Sequence, residues 1–135
     1  MSQIKYNEKQ EAFELPYKLW DKDVTVLFYV EEEQEIMDNI AVIADALAKV
    51  DRNLEKIAEV ILRDAKGCGK LRPDPKEFSK ALSITDTFVE LDEGEVYIRF
   101  VVADSSGYLK DRLELEYGES IGVEVIGWYG EELGL

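Results

Sequence analysis

The sequence predicts an α+β domain: an antiparallel sheet of about five to six strands, with helices packed on one face. Three observations predict it. Between Glu31 and Ala65 the apolar residues Ile36, Ile40, Ile43, Leu47, Val50, Leu54, Ile57 and Ile61 recur at alternating steps of four and three, the spacing of one helix face. On either side lie runs with period-two alternation, two before the helical stretch and four after it, and short turns between such runs make antiparallel neighbours. Finally, 135 residues with 46% hydrophobic content, seven Tyr, five Phe and two Trp suffice for one domain with its own core.

Residues 1–11 are polar, with Ile4 and Tyr6 as the apolar anchors beyond Met1, so they are expected either to fray or to form an edge strand. Phe13, Leu15, Tyr17 and Leu19 then alternate with Ala12, Glu14, Pro16 and Lys18. Pro16 has no N–H for a ladder, which places this strand at an edge or at a bulge. Trp20-Asp21-Lys22-Asp23 reads as a turn, and Val24 to Val30, rich in β-branched and aromatic residues, as the second arm of a hairpin.

The helical stretch begins with Glu31, Glu32, Glu33 and Glu35, carboxylates that meet the positive end of a helix dipole. Arg63, Lys66 and Lys70 gather at the other end, where Gly67 and Gly69 supply a stop. A straight helix of about 35 residues would be a rod of roughly 50 Å, whereas a domain of this size is only about 30–35 Å across. Either the rod breaks near Asp51-Arg52-Asn53, the only polar triplet beyond its acidic start, or it stays straight and pairs with a second copy. Ala44, Ala48 and Ala58 widen the apolar face, which suits packing on a sheet better than a coiled-coil seam.

Lys66 to Lys76 holds two Gly and two Pro and reads as a loop. Asp74, Pro75 and Glu77 supply an N-cap, a first-position proline and a third-position acid for a short helix over 75–82. Strands follow over 84–91, 95–103, 112–117 and 122–129, separated by Asp92-Glu93-Gly94, Asp104-Ser105-Ser106-Gly107 and Tyr117-Gly118-Glu119-Ser120.

Thirty acids against sixteen bases leave a formal net charge of −14. Such a chain repels nucleic-acid backbones and anionic membranes and steers basic partners toward itself. The same charge also keeps a small protein dispersed without any partner. The absence of His removes the usual general base near neutral pH, the Ser-His and Cys-His pairs and most zinc sites. The one cysteine, Cys68, can form neither an intramolecular disulfide nor a thiolate cluster. Gly67-Cys68-Gly69-Lys70 follows a helix and lacks the spacing of a phosphate loop. Asp92-Glu93-Gly94-Glu95 lacks the spaced ligands of a calcium loop. Carboxylates could do paired acid and base work, yet no pair stands out among thirty. The expectation is therefore no catalytic, cofactor or metal site. No apolar run approaches about 18 residues and no charged-then-apolar leader opens the chain, so a cytoplasmic setting is expected. For contacts, Glu114, Glu116 and Glu124 are expected on the solvent side of the last strands. Trp128 and Tyr129, beside Gly127 and Gly130, are expected to form an exposed anchor.

The order of elements resembles a bacterial family of unknown function whose members include predicted immunity proteins encoded beside polymorphic toxins. Three parts carry the resemblance: the hairpin through Trp20 and Asp21 to Val30, the acidic start of the Ile/Leu/Ala-rich helical stretch, and the closing pair Asp111-Arg112-Leu113-Glu114-Leu115-Glu116 and Gly122-Val123-Glu124-Val125-Ile126-Gly127. It implies a stoichiometric inhibitor of a neighbouring toxin, or a relative repurposed from one, acidic where the toxin is a basic nuclease. It brings no site residues with it. The leading expectation is a non-enzymatic acidic interaction protein, an immunity-type inhibitor of a basic partner. The rivals are a structural or regulatory homodimer built on the helical stripe and a small carboxylate-dependent hydrolase.

Overall fold

A computed structural model describes residues 4–65 and 71–129. The expected helix stop at Gly67 and Gly69, with Lys66, Cys68 and Lys70, lies outside the described residues. The strands are β1 (Lys5–Asn7), β2 (Ala12–Leu19), β3 (Lys22–Phe28), β4 (Leu82–Asp92), β5 (Glu95–Asp104), β6 (Leu113–Gly118) and β7 (Gly122–Trp128). They form one seven-stranded sheet whose spatial order is the chain order. Between β3 and β4 run α1 (Glu33–Asp38), α2 (Ile40–Arg52), α3 (Leu54–Asp64) and α4 (Pro75–Ser79).

The α+β class stands, but the sheet has seven strands and is mixed. The β3–β4 pair is parallel, with Val26, Leu27 and Phe28 opposite Thr87, Phe88 and Val89. A parallel neighbour needs a long crossover, and the helical stretch is that crossover. Every other neighbouring pair is antiparallel. At the other end of the sheet β1 is the edge strand, opposite Ala12 to Glu14. Pro16 lies beyond its reach, on a stretch of β2 paired only with β3, which is how the sheet tolerates a residue without an N–H.

The β2–β3 hairpin turns on Trp20 and Asp21 alone, with φ of 54° and 64°. Two consecutive positive φ values make a type I′ turn, whose twist matches that of the flanking strands.

The helical stretch breaks twice, not once. Asn53 ends α2 and opens α3 within the expected triplet; Asn39 makes an earlier break between α1 and α2 that the apolar spacing conceals. Both asparagines use the same device. The Asn39 amide donates to the Glu35 carbonyl at 2.8 Å and the Asn53 amide to the Lys49 carbonyl at 2.6 Å. Each side chain takes a carbonyl that a continuous helix would bond through its backbone, and local competition of this kind favours a break. At the start, the Glu35 carboxylate accepts from the backbone N–H groups of Glu31 and Glu32, both at 3.1 Å. The short helix α4 begins as expected, with the Asp74 carboxylate accepting from the Lys76 and Glu77 backbone. It ends at Ser79 rather than residue 82, because Leu82 is already the buried first residue of β4.

The stripe is spent on the chain's own sheet. Ile36, Ile43, Leu47, Val50, Ile57 and Ile61 are all buried in one core with Val26, Phe28, Val89, Ile98, Phe100, Val102, Leu113 and Leu115. Ile40 and Leu54 fall immediately after the two asparagines; there the helix changes direction, leaving Ile40 exposed and Leu54 half-buried. Ala44 is exposed as well, so the apolar face is narrower there than its residue type suggests.

Candidate functional site: the open face of the sheet

Strand alternation sends Val26, Val89, Ile98 and Leu115 toward the helices and their neighbours to the opposite face. Register lines up one row on that opposite face: Leu27, Phe88, Arg99, Glu116 and Glu124, from β3 to β7. The row runs from apolar to acidic. Glu90 stands beside it on β4 and Glu114 on β6, and both reach Arg99.

Arg99 joins these carboxylates. Its Nη1 donates to Glu90 Oε1 at 3.0 Å, and its Nε and Nη2 donate to Glu114 Oε2 at 2.9 and 2.5 Å. The hydrogen bond to Glu90 holds the guanidinium above its already high ordinary value; burial, the next largest effect, pulls it down, and the bonds to Glu114 raise it again. Glu114 is 1% exposed, so its charge has lost nearly all its water and depends on Arg99. Replacing Arg99 with methionine is expected to cost about 2–4 kcal/mol in urea unfolding, somewhat below the full cost of orphaning a buried charge because the guanidinium keeps some solvent. Adding Glu114→Leu should restore most of the loss; a pair that behaves additively would contradict this account.

Glu116 behaves in the opposite sense. Burial, followed by Glu90, Glu124 and Glu114, pushes its pKa up, with Arg99 alone pulling it down. A carboxyl whose folded pKa is raised contributes stability below its ordinary value of 4.5 and loses it as pH rises through the folded value. Glu116→Gln is therefore expected to stabilise the protein at neutral pH. The gain should shrink as the pH falls toward about 4, measured by urea midpoints across that range.

The other half of the face is aromatic. Tyr29, just past β3, stacks on Phe88 with centroids 5.9 Å apart. Tyr129, just past β7, donates its backbone N–H to the Arg112 carbonyl at 2.9 Å. The Arg112 guanidinium lies 4.8 Å from the Tyr129 ring centroid and reaches Asp86 at 3.5 Å. Burial and then the proximity of Tyr129 and Asp86 push the Tyr29 phenol up. Leu27, Tyr29, Phe88, Asp86 and Tyr129 thus border a shallow groove of about 820 Å³ across β2, β3 and β4.

Glu116 and Glu124 stand opposite each other on the open face, as expected. Glu114 shares that face but is buried under its bonds to Arg99, so it is not a solvent contact. Trp128 and Tyr129 do not form a single anchor. Trp128 lies opposite Leu113, half-buried against the core, with the Lys110 ammonium 4.9 Å from its ring centroid. Tyr129 borders the groove of the other face, because successive strand residues point to opposite sides. Sequence reasoning missed Tyr29, Phe88, Glu90 and Arg99. Alternation with buried Ile98 and Phe100 was a signal for Arg99, but nothing local paired it with Glu114, fifteen residues on.

Among the described residues, no group of three or more Cys, Asp or Glu is arranged to hold a metal, and no helix is long and apolar enough to cross a membrane. The fold and this face define a class in structural terms: an α+β domain whose mixed sheet is covered by helices on one side and presents acids and aromatics on the other. Comparison with family models, with curated proteins and with solved structures yields no match.

Proposed function

We propose that this chain is a non-enzymatic interaction protein that holds a basic protein partner on the open face of its sheet, the part an immunity-type inhibitor plays toward a basic toxin. One observation carries the reading. Glu116 and Glu124 stand side by side at the acidic end of a row on the face opposite the helices, in a chain of net charge −14. Arg99 is spent on Glu90 and Glu114, so it neutralises little of that end. Unlike charges at an interface raise the rate of encounter and set orientation.

The raised pKa of Glu116 fits the same reading. Crowded carboxylates cost the free protein stability, and a partner's Lys or Arg placed among them would relieve the repulsion. A homodimer on the helical stripe has less support, since six of its eight apolar residues are already buried within one chain.

The test compares the wild-type chain with Glu116→Lys/Glu124→Lys as baits in lysate of the source organism at low salt. The expected result is a basic protein retained by the wild type, released by raised salt and lost with the double variant. Retention of no basic protein, or equal retention by both baits, would overturn the reading.

A further inference from the structure

The row across the open face changes character along its length, and the two halves suit different parts of one ligand. At β3 and β4 it presents Leu27 and Phe88, with Tyr29 stacked alongside and Tyr129 closing the groove. Three carboxylates border this half: Asp86 is met by Arg112, Glu14 accepts from the Asn7 amide, and Asp23 lies opposite Lys18 in the strand register. At β6 and β7 it presents Glu116 and Glu124, with no cation in the row beyond Arg99. Tyr29 is 48% exposed although its ring already stacks on Phe88, so aromatic surface stands uncovered at this end of the row.

We infer that the groove between β3, β4 and Tyr129 receives one bulky aromatic side chain of the partner, while Glu116 and Glu124 receive Lys or Arg residues that follow it. The inference rests on the proposed docking of a basic protein and adds what anchors it. The wall formed by Tyr29, Phe88 and Tyr129 favours a buried aromatic side chain, the kind of contact that dominates binding energy. The acidic end governs encounter and register. Spacing follows from the sheet. Neighbouring strands lie about 4.8 Å apart, so Glu116 is about 10 Å from Phe88 and Glu124 about 14 Å. An extended ligand advances about 3.4 Å per residue and turns alternate side chains to one face, which puts the basic residues two and four positions from the aromatic one, the long side chain of the nearer reaching Glu116.

The test uses the full chain and two synthetic peptides, acetylated and amidated: Trp-Gly-Lys-Ser-Lys and its counterpart with Ala in place of Trp. Binding is followed by amide shifts in NMR titrations. The tryptophan peptide is expected to bind at least about tenfold more tightly, with shifts at Tyr29 and Phe88 as well as Glu116 and Glu124. Tyr29→Ala, at a side chain half exposed and outside any strand, should remove most of that gain while leaving the fold intact by circular dichroism. Equal binding of the two peptides, with shifts confined to Glu116 and Glu124, would overturn the anchor and leave the acidic docking standing. Shifts from the tryptophan peptide away from the groove would overturn it too. If neither peptide binds, both readings fall.

Discussion

Leu47→Glu is expected to unfold the protein as a monomer rather than to split a dimer. Leu47 is 1% exposed at the middle of α2, inside the core that joins the helices to β3, β4, β5 and β6. Removing the leucine forfeits its burial, and truncations of this kind alone cost about 2–5 kcal/mol. A carboxylate in the same place adds the cost of an ion cut off from water, several kcal/mol more, or else is protonated. The sum approaches the whole stability of a domain of this size, about 5–15 kcal/mol. Circular dichroism should show loss of sheet and helix together, and light scattering should show no dissociation beforehand. A folded monomer produced from a wild-type dimer would instead mean that the stripe pairs between copies.

Trp20→Ala is expected to have the second largest effect, about 3–5 kcal/mol by urea unfolding, the usual cost of truncating a buried Trp. Trp20 does three things at once. Its ring is 8% exposed and meets Phe100 edge to face, with centroids 6.2 Å apart. Its indole Nε1 donates to the Val50 carbonyl at 3.0 Å, and its backbone N–H donates to Asp51 Oδ1 at 2.7 Å. Val50 is in the last turn of α2, where carbonyls lack an intrahelical donor. The Lys49 carbonyl is met by Asn53 and the Val50 carbonyl by Trp20. The β2–β3 turn and the α2–α3 break therefore hold each other in place. A bulky residue at φ of 54° is uncommon and persists where surrounding contacts over-determine it. Trp20→Phe keeps most of the apolar surface but leaves the Val50 carbonyl unpaired, so about 1–3 kcal/mol is expected from it. If both variants cost less than about 1 kcal/mol, the turn does not anchor the break.

Much of the fold was legible because its signals are local. The alternating spacing from Ile36 to Ile61 could be written only by a helix face, and six of those eight residues are buried on one side. Asp74 before Pro75 marked the start of α4 to the residue. The polar triplet at Asp51 marked one break, since Asn53 bonds to its own helix. Asn39 carries the same chemistry, but it sits between Ile36 and Ile40, where the apolar period runs through unbroken. The candidate site was less legible. Glu116 and Glu124 read correctly as facing away from the core. Glu114, of the same type and phase as Glu116, read the same way and is buried, because Arg99 from the neighbouring strand lies over it.

By itself the sequence determined the elements, their faces and the acidic balance, since dihedral preference, periodicity and capping act within a few residues. Only the tertiary structure decided that β3 and β4 run parallel, that Trp20 caps the end of α2, and that Arg99 neutralises Glu90 and Glu114 while Glu116 and Glu124 remain together. Each of these depends on which strands and helix ends are brought together and in what register, across the helical crossover for β3 and β4 and across the consecutive hairpins for Arg99 and its carboxylates, and no local preference encodes that choice.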